Sequence, residues 1–251
     1  MIRRFWKFFT AGSKKAAPST PDGMRIYVIG DIHGRLDLLE KLHAKIKKDA
    51  KGCKHLKIIQ VFLGDYIDRG PESKGVIDFL IKPPPKKWKR ICLKGNHETM
   101  VSKFLSDPDV LERWQRNGGL ETLYSYDPGL IGQPGIFSPK KIQKKFDKVF
   151  SKSHRKFFAK LKLSAEFGDY FFAHAGVRPG VSLKDQVEED LIWIRKEFIT
   201  SNKNFGKIIV HGHTPIDKPE VKSNRINIDT GAWITGKLTC LVLEGEEQRF
   251  L

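Results

Sequence analysis

The sequence predicts an α/β fold, in which short buried strands alternate with helices. Short apolar runs end, one after another, in clusters of Gly, Asp, Asn and His. After the first of these runs, leucine and isoleucine recur at the spacing of an amphipathic helix. The chain has 251 residues, which is enough for one large domain with its own core. Alternating strands and helices are typical of a sheet that helices cover.

Three strand-helix units open the predicted domain. A strand at 25–29 precedes an amphipathic helix over 35–50. A second strand, 57–63, is followed by a short helix at 76–81, and a third strand occupies 88–93. Each strand is an apolar run that ends at glycine and polar residues, as buried strands do.

The second half of the chain returns to strands after a long helical region. Residues 99–165 are mainly helical in pattern and are predicted to form an inserted cap or wall. Strands are predicted at 170–173 and 207–210. The runs 225–229 and 238–243 are predicted to form an antiparallel pair joined by a turn.

The N-terminal residues differ in composition from the rest. Residues 1–23 are interpreted as a basic tail and linker, and 24–251 as the catalytic domain. Residues 1–9 are basic and aromatic, and Lys7 interrupts the apolar stretch that a signal peptide needs. A disordered tail is the favoured interpretation. Weak contact with an anionic membrane is the alternative.

The chain is strongly basic, with 46 Lys and Arg against 29 Asp and Glu and a formal net charge of +17. This balance favours acidic partners, although a solvated lysine-rich surface would give the same composition. The sequence shows no nucleic-acid-binding motif, so no specific nucleic acid is expected. Cys53, Cys92 and Cys240 are far apart and form no Cys-x-x-Cys pair, which predicts a reducing, cytoplasmic location.

Five clusters of polar side chains follow predicted strands. They are Gly30-Asp31-Ile32-His33-Gly34, Gly64-Asp65-Tyr66-Ile67-Asp68-Arg69-Gly70, Gly95-Asn96-His97-Glu98, His174-Ala175-Gly176 and His211-Gly212-His213-Thr214-Pro215. Any one of them alone is typical of a turn. Because open α/β sheets bind ligands at the carboxyl ends of their strands, we expect the five clusters to meet in one cleft.

The side chains of these clusters suit a centre of two divalent metal ions. Carboxylate, imidazole and amide-oxygen ligands favour Mn²⁺, Fe²⁺ or Zn²⁺; we predict manganese, with iron, zinc and magnesium as alternatives. Asp65 offers two oxygens that could bridge the ions, and His211 stays an alternative to His213. The predicted ligands are Asp31, His33, Asp65, Asn96, His174 and His213. Two such ions can bind a phosphate between them and share a hydroxide for in-line attack.

Three further residues are candidates for the chemistry of the leaving group. His97 could give a proton to the departing oxygen. Asp68 could bond to the other nitrogen of that imidazole and keep it protonated. Arg69 offers a forked donor for phosphate oxygens. Trp114 is expected to be a packing residue.

In their order along the chain, the first three clusters resemble the signature of the metal-dependent phosphoprotein phosphatases, a branch of the calcineurin-like metallophosphoesterases. The narrower match is to the bacterial and phage-lambda type of this branch. Further motifs carry it: Arg116-Asn117-Gly118-Gly119, Trp193-Ile194-Arg195, Gly212-His213-Thr214-Pro215 and Ile228-Asp229-Thr230-Gly231-Ala232. The resemblance covers about residues 24–245 and leaves out the N-terminal tail.

The resemblance implies a fold, a set of roles and a reaction. The implied fold has four layers, with two mixed β-sheets flanked by helices. The first ion would be held by Asp31, His33 and Asp65, and the second by Asp65, Asn96, His174 and His213. Asp68 would orient His97 as general acid, and Arg69, Arg195 and Asn96 would bind the substrate phosphate.

The implied activity is that of a monomeric serine/threonine protein phosphatase, with phosphotyrosine as a further substrate. A metal-bridging hydroxide would attack phosphoproteins or other phosphomonoesters directly. An alternative, symmetrical bis(5'-nucleosyl)-tetraphosphatase, shares the fold and the motifs. A nucleic-acid or anionic-membrane binding module on the same scaffold is the alternative from another class, and the full set of candidate ligands argues against it.

Overall fold

The computed structural model describes residues 17–53, 55–131 and 138–251. Within these residues the strands are β1 (Met24–Ile29), β2 (Lys57–Phe62), β3 (Lys89–Cys92), β4 (Ser164–Phe167), β5 (Tyr170–Ala173), β6 (Ile208–His211), β7 (Glu220–Val221), β8 (Arg225–Asn227), β9 (Cys240–Glu244) and β10 (Glu247–Phe250). The α-helices are α1 (Leu36–Asp49), α2 (Ser73–Ile81), α3 (Asn96–Ser106), α4 (Leu111–Gln115), α5 (Gly119–Tyr126), α6 (Pro139–Val149), α7 (Lys152–Ala159), α8 (Glu188–Trp193), α9 (Lys196–Ile199) and α10 (Ala232–Thr235). Short 3-10 turns lie at Ala50–Gly52, Pro108–Val110, Pro128–Leu130 and Leu183–Asp185.

The strands form two mixed sheets, each with a parallel centre. The first has the order β10-β9-β1-β2-β3 and the second the order β4-β5-β6-β8-β7. In the first sheet β1, β2 and β3 are parallel, whereas β9 and β10 run antiparallel. In the second, β5, β6 and β8 are parallel and the edge strands β4 and β7 are antiparallel. Parallel strands bring several carboxyl ends to one edge of each sheet.

Three hydrophobic clusters show that the sheets lie inside four layers. Residues such as Val28, Val61 and Phe172 fill the space between the two sheets. The outer face of the first sheet packs against α1 to α7, and the outer face of the second against α8 and α9. The order helix, sheet, sheet, helix confirms the predicted fold class, an α/β metallophosphatase fold with two mixed sheets flanked by helices.

The first three strand-helix units match the prediction closely, but the predicted antiparallel pair near the C-terminus is wrong. β8 belongs to the second sheet, next to β6 and β7, whereas β9 belongs to the first, next to β1 and β10. The residues between them form α10, with Gly231 and Gly236 in the left-handed region at its two ends. An apolar run does not specify its partner strand, because pairing depends on packing against the rest of the sheet.

The predicted helical region contains α3 to α7, and the antiparallel strand β4 (Ser164–Phe167) begins at its end. The tail is described only from residue 17, so the basic and aromatic residues 1–9 lie outside the described residues. Thr20 is buried and its N–H donates to the carbonyl of Gly245, so contacts with the fold begin before Met24. None of the helices in the described part of the chain combines the length and apolar character needed to cross a bilayer.

Candidate active site

The five polar clusters meet at the carboxyl ends of β1, β2, β3, β5 and β6. Their backbone is unusual at five positions: His33, Asp65, Asp68, Arg69 and His213 all have φ between 46° and 71°. Within the described residues, Lys87 is the only other non-glycine residue with positive φ. Such conformations cost free energy and concentrate at functional sites, where the surrounding structure holds them in place.

Asp65 lies at the centre of the site, and its two oxygens face different side chains. Its Oδ2 is 3.5 Å from His33 Nε2 and 3.7 Å from His97 Nε2. Its Oδ1 is 3.4 Å from His174 Nε2. Two sets of possible ligand atoms result, each within 4.8 Å: Asp65 with His33 and His97, and Asp65 with His174 and His213. This arrangement suits one carboxylate shared by two ions.

Backbone carbonyls orient two of the histidines. His33 Nδ1 lies 2.9 Å from the carbonyl of Ile67, and His174 Nδ1 lies 3.1 Å from that of Leu63. A proton donated from each Nδ1 leaves Nε2 free toward Asp65, as is usual for histidines that bind metal. Burial and the neighbouring His97 hold the pKa of His33 well below its ordinary value.

The pocket favours a positive charge beside His174. Burial alone would lower the pKa of His174, but the carboxylates of Asp65 and Asp31 raise it to about 9. Asn96 Oδ1 lies 3.0 Å from His174 Nε2, so an amide oxygen faces the same point. The same oxygen atoms would stabilise either a proton at Nε2 or a divalent cation at that point. Carboxylate, amide and imidazole donors together suit the cation.

Asp31 supports the same interpretation, although it lies outside both sets of three ligand atoms. Its Oδ2 accepts the N–H of His213 at 3.0 Å, while its buried Oδ1 has no hydrogen-bond partner among the described residues. Burial and the charge of Asp229 raise the pKa of Asp31 well above its ordinary value. A buried carboxylate oxygen without a partner is costly, and a cation would satisfy it.

The structure distinguishes His213 from His211. His213 shares a possible ligand set with Asp65 and His174, and its Nε2 accepts the Arg195 Nε proton at 2.9 Å. Burial and the neighbouring His174 lower the pKa of His213 to about 2. His211 instead packs its ring edge-on against Phe198, with centroids 4.9 Å apart. The geometry therefore favours His213 as the candidate ligand.

His97 and Asp68 form a buried pair. The His97 Nδ1 to Asp68 Oδ2 distance is 2.6 Å. The indole N–H of Trp114 donates to the Asp68 carboxylate at 2.9–3.0 Å, and the hydroxyl of Thr122 donates to Asp68 Oδ1 at 2.5 Å. Trp114 does pack against aromatic rings, but the sequence interpretation missed its polar contact with Asp68.

Burial alone would lower the pKa of His97, but the charge of Asp65 and the hydrogen bond with Asp68 raise it. His97 Nε2 faces the centre of the site, where it also meets Arg69 Nη2 at 3.3 Å. The other terminal nitrogen of Arg69, Nη1, lies 3.2 Å from His33 Nε2. The structure thus brings His97, Asp68 and Arg69 together, and a proton on His97 would point at the place that the ligands surround.

Glu98 is a residue whose function the sequence did not indicate. It is fully buried, and its carboxylate accepts the N–H groups of Asp65, Tyr66 and Gly95 at 2.8–3.0 Å. Burial and the charge of Asp65 raise the pKa of Glu98 to about 7. Glu98 therefore fixes the turn after β2 relative to the start of α3. Asp229, buried two residues after β8, is a second acidic side chain to which the sequence assigned no role.

Replacing Gly95 by alanine is expected to disturb the centre. A Cβ at this position would overlap Asp65 Oδ1 and lie 2.5 Å from Asp65 N. We expect Gly95→Ala to destabilise the fold by about 1–3 kcal/mol, as overpacking does, and to lower metal affinity. Thermal unfolding and metal titration test this. Gly52→Ala is the matched control, because a Cβ there meets nothing within 4 Å. Unchanged metal binding in Gly95→Ala would contradict the tight fit around Asp65.

Comparison with known proteins agrees with the fold and the site. The calcineurin-like phosphoesterase family model matches residues 24–236. The asymmetrical bis(5'-nucleosyl)-tetraphosphatase PrpE of Oceanobacillus iheyensis is 31% identical over 233 residues, covering 86% of this chain and 87% of that protein. The enzyme of the same name from Anoxybacillus flavithermus is 28% identical over 233 residues, covering 85% and 88%.

A solved structure shows the same fold at low sequence identity. The cold-active protein-tyrosine phosphatase of a psychrophilic Shewanella species superposes with a TM-score of 0.61 at 16% identity, covering 93% of this chain and 83% of that one. The family implies a centre of two divalent metal ions, and the described residues supply the two sets of candidate ligands around Asp65. On the family match and the relatives together, the chain belongs to the calcineurin-like phosphoesterase family and is an enzyme that hydrolyses phosphoesters.

Proposed function

We propose that this protein hydrolyses dinucleoside tetraphosphates, of which diadenosine tetraphosphate is the test substrate, and that it cleaves them asymmetrically into a nucleoside monophosphate and a nucleoside triphosphate. The observation that carries the proposal is the 31% identity with an asymmetrical tetraphosphatase along most of both chains. The proposal reverses the order of the two enzyme hypotheses from the sequence. It also replaces symmetrical by asymmetrical cleavage, following the names of the relatives.

Two arginines flank the candidate ligands from different sides, which suits a chain of phosphates. Arg69 contacts His33 and His97 on one side, and Arg195 donates to His213 on the other. Each guanidinium can donate two parallel hydrogen bonds to phosphate oxygens. Arg195 is exposed and Arg69 is half-buried, so both can be reached by a ligand that enters from solvent.

The candidate ligands Asp31, His33, Asp65, Asn96, His174 and His213 would hold two ions, for which we propose manganese. When bound, such a pair supplies an activated water and neutralises phosphate charge. The chain's own contribution begins with Arg69 and Arg195, which bind the phosphate and orient it. His97, held by Asp68, then donates a proton to the oxygen of the departing phosphate group. In the proposed reaction the oxygen of a water would form a bond to phosphorus while the bond from phosphorus to the protonated departing oxygen breaks, so no phosphorylated side chain would form.

A serine/threonine protein phosphatase of the phage-lambda type is the second candidate. The observation that favours it is the contact of Arg69 with His97. Arg69 lies in the turn that also carries Asp65 and Asp68. That arrangement would bind one phosphate next to a proton donor. Hydrolysis of a phosphomonoester requires no second phosphate-binding group. We rank it second because the curated relatives reported above are tetraphosphatases. A monomeric state, and weak membrane contact through the N-terminal tail, stay predictions from the sequence.

Products and relative rates test the proposal. The metal-loaded protein is given diadenosine tetraphosphate, a phosphoserine peptide and a phosphotyrosine peptide, and products are separated by ion-exchange chromatography. We expect AMP and ATP in equal amounts, and a kcat/KM at least about tenfold above that for either peptide, a difference of about 1.4 kcal/mol. Two ADP per substrate would establish symmetrical cleavage instead. A higher kcat/KM on a peptide would overturn the ranking, and a chelator-treated sample is the blank.

A further inference from the structure

Trp233 is a large aromatic side chain at the rim of the candidate active site. It lies on the short helix α10, and 38% of its surface is exposed. The guanidinium carbon of Arg69 lies 5.3 Å from the centroid of its ring. The same guanidinium contacts His33 and His97 with its terminal nitrogens. Arg69 therefore connects the indole directly to the place where a substrate phosphate would bind.

The turn that carries Trp233 is held firmly. Arg35 Nη1 donates to the carbonyl of Ala232 at 3.0 Å, and Arg35 itself forms an ion pair with Asp37. At the other end of α10, the hydroxyl of Thr235 donates to the carbonyl of Thr230 at 2.7 Å. The backbone beneath the indole is thus fixed on both sides, and a fixed aromatic surface loses little freedom when a ligand stacks on it.

The exposure of Trp233 is not explained by support of Arg69. Arg69 is already fixed by its contacts with His33 and His97 and by its backbone N–H, which donates to the carbonyl of Gly118 at 3.0 Å. The guanidinium of Arg69 makes a cation–π contact with one face of the indole, and this contact does not require the rest of the side chain to be exposed. The exposed part of Trp233, 38% of its surface, includes aromatic surface that the ring of a ligand can contact.

We propose that Trp233 is the stacking platform for a nucleobase of the substrate. This inference rests on the proposed function, in which the ligand has nucleosides at both ends of a short phosphate chain. A phosphate held by Arg69 places the attached nucleoside near the indole, on the solvent side of the site. Every base has a flat π-surface, so stacking would bind purines and pyrimidines alike and would not select one base.

Substitution of Trp233 by alanine tests the proposal, and the expected loss of substrate affinity follows from known stacking energies. Stacking of one base on an aromatic side chain contributes about 1–3 kcal/mol by alanine substitution, which is about 5- to 150-fold in affinity. We expect Trp233→Ala to raise KM for diadenosine tetraphosphate by this factor with kcat changed less than about threefold, and Trp233→Phe to keep most of the affinity. Ile234→Ser is the matched control, because Ile234 is the neighbouring residue and is 69% exposed.

A binding experiment separates stacking from support of Arg69 and does not depend on turnover. AMP and ribose 5-phosphate differ only in the base, and their dissociation constants are measured by calorimetry on the metal-loaded wild type and each variant. We expect Trp233→Ala to weaken AMP about 5- to 150-fold and ribose 5-phosphate less than about twofold. Equal weakening of both ligands would show that Trp233 acts through Arg69. Unchanged AMP binding, or a wild type that binds both ligands equally, would also overturn the proposal.

The two proposals fail in different ways. If the wild type does not cleave diadenosine tetraphosphate but AMP binding still requires Trp233, the proposed function is wrong and the nucleobase subsite stands. If the wild type cleaves it and Trp233→Ala binds AMP normally, the subsite is wrong and the function stands.

Discussion

Asp65→Asn is expected to weaken binding of both metal ions together and to reduce turnover by at least about 100-fold. Asparagine keeps the shape of the side chain but loses the charge and one of the two oxygen ligands. Substitution of a residue that merely supports a metal ligand typically costs 10- to 100-fold in affinity or activity. Loss of a carboxylate that two ions share should lower the affinity for each ion by at least this factor.

The geometry of Asp65 predicts that one substitution weakens the binding of both ions. Asp65 Oδ2 faces His33 and Asp65 Oδ1 faces His174, at 3.5 and 3.4 Å. If Asp65 held only one ion, its substitution would lower the affinity of one binding step in a metal titration and leave the other step unchanged. Bridging predicts that both steps shift in the same variant. The measurement is metal content after dialysis, together with a titration of the metal-free protein followed by calorimetry.

Asp190→Asn is the matched control for Asp65→Asn. Asp190 is also a buried carboxylate, but it lies on α8 and its two oxygens pair with Arg178 instead of facing a candidate ligand. We expect this variant to bind two ions with the affinity of the parent. If Asp65→Asn also retained two ions at unchanged affinity, the bridging role would be wrong. Loss of one ion only would assign Asp65 to a single site.

The sequence predicted those parts of the site that depend on local structure. Each candidate ligand follows its strand directly, so a strand assignment was enough to place Asp31, Asp65 and Asn96 at one edge of the sheet. The partners of Asp68 are different in kind. Trp114 and Thr122 reach it from 46 and 54 residues away, through α4 and α5. No spacing rule connects such residues, because the helices meet only when the core packs.

The strand pairing and the substrate were harder to predict for related reasons. The runs that contain β8 and β9 were predicted to pair with each other, yet β8 lies between β6 and β7 and β9 lies between β1 and β10, because pairing depends on packing against the rest of the sheet. The candidate metal ligands do not indicate the substrate either, since a two-metal centre can hydrolyse any phosphoester. We therefore expect selectivity to depend on residues around the metal ligands, such as Arg195 and Trp233, for which roles are proposed above. Neither the strand order nor the spacing of the motifs indicates which phosphoester those residues would accept.

His97→Asn is expected to retain two metal ions and to lose turnover in proportion to the basicity of the leaving group. General acid catalysis contributes about 100- to 10,000-fold. The largest loss is expected with an alkyl phosphate, whose departing oxygen is strongly basic. A smaller loss is expected with diadenosine tetraphosphate, whose departing phosphate is a weaker base. Initial rates on an alkyl phosphate, an aryl phosphate and the tetraphosphate, measured at one pH, give this order.

Metal content decides between the two roles that the structure allows for His97. Its Nδ1 is 2.6 Å from Asp68, but its Nε2 is 3.7 Å from Asp65 Oδ2 and within one of the two sets of possible ligand atoms. If His97 were a ligand, His97→Asn would lose an ion, and all three substrates would slow by a similar factor. If it is the proton donor, both ions stay and the losses rank with leaving-group basicity. In either role the buried carboxylate of Asp68, which Trp114 and Thr122 complete, orients the ring through Nδ1, so the metal content and the order of the three losses decide between the two.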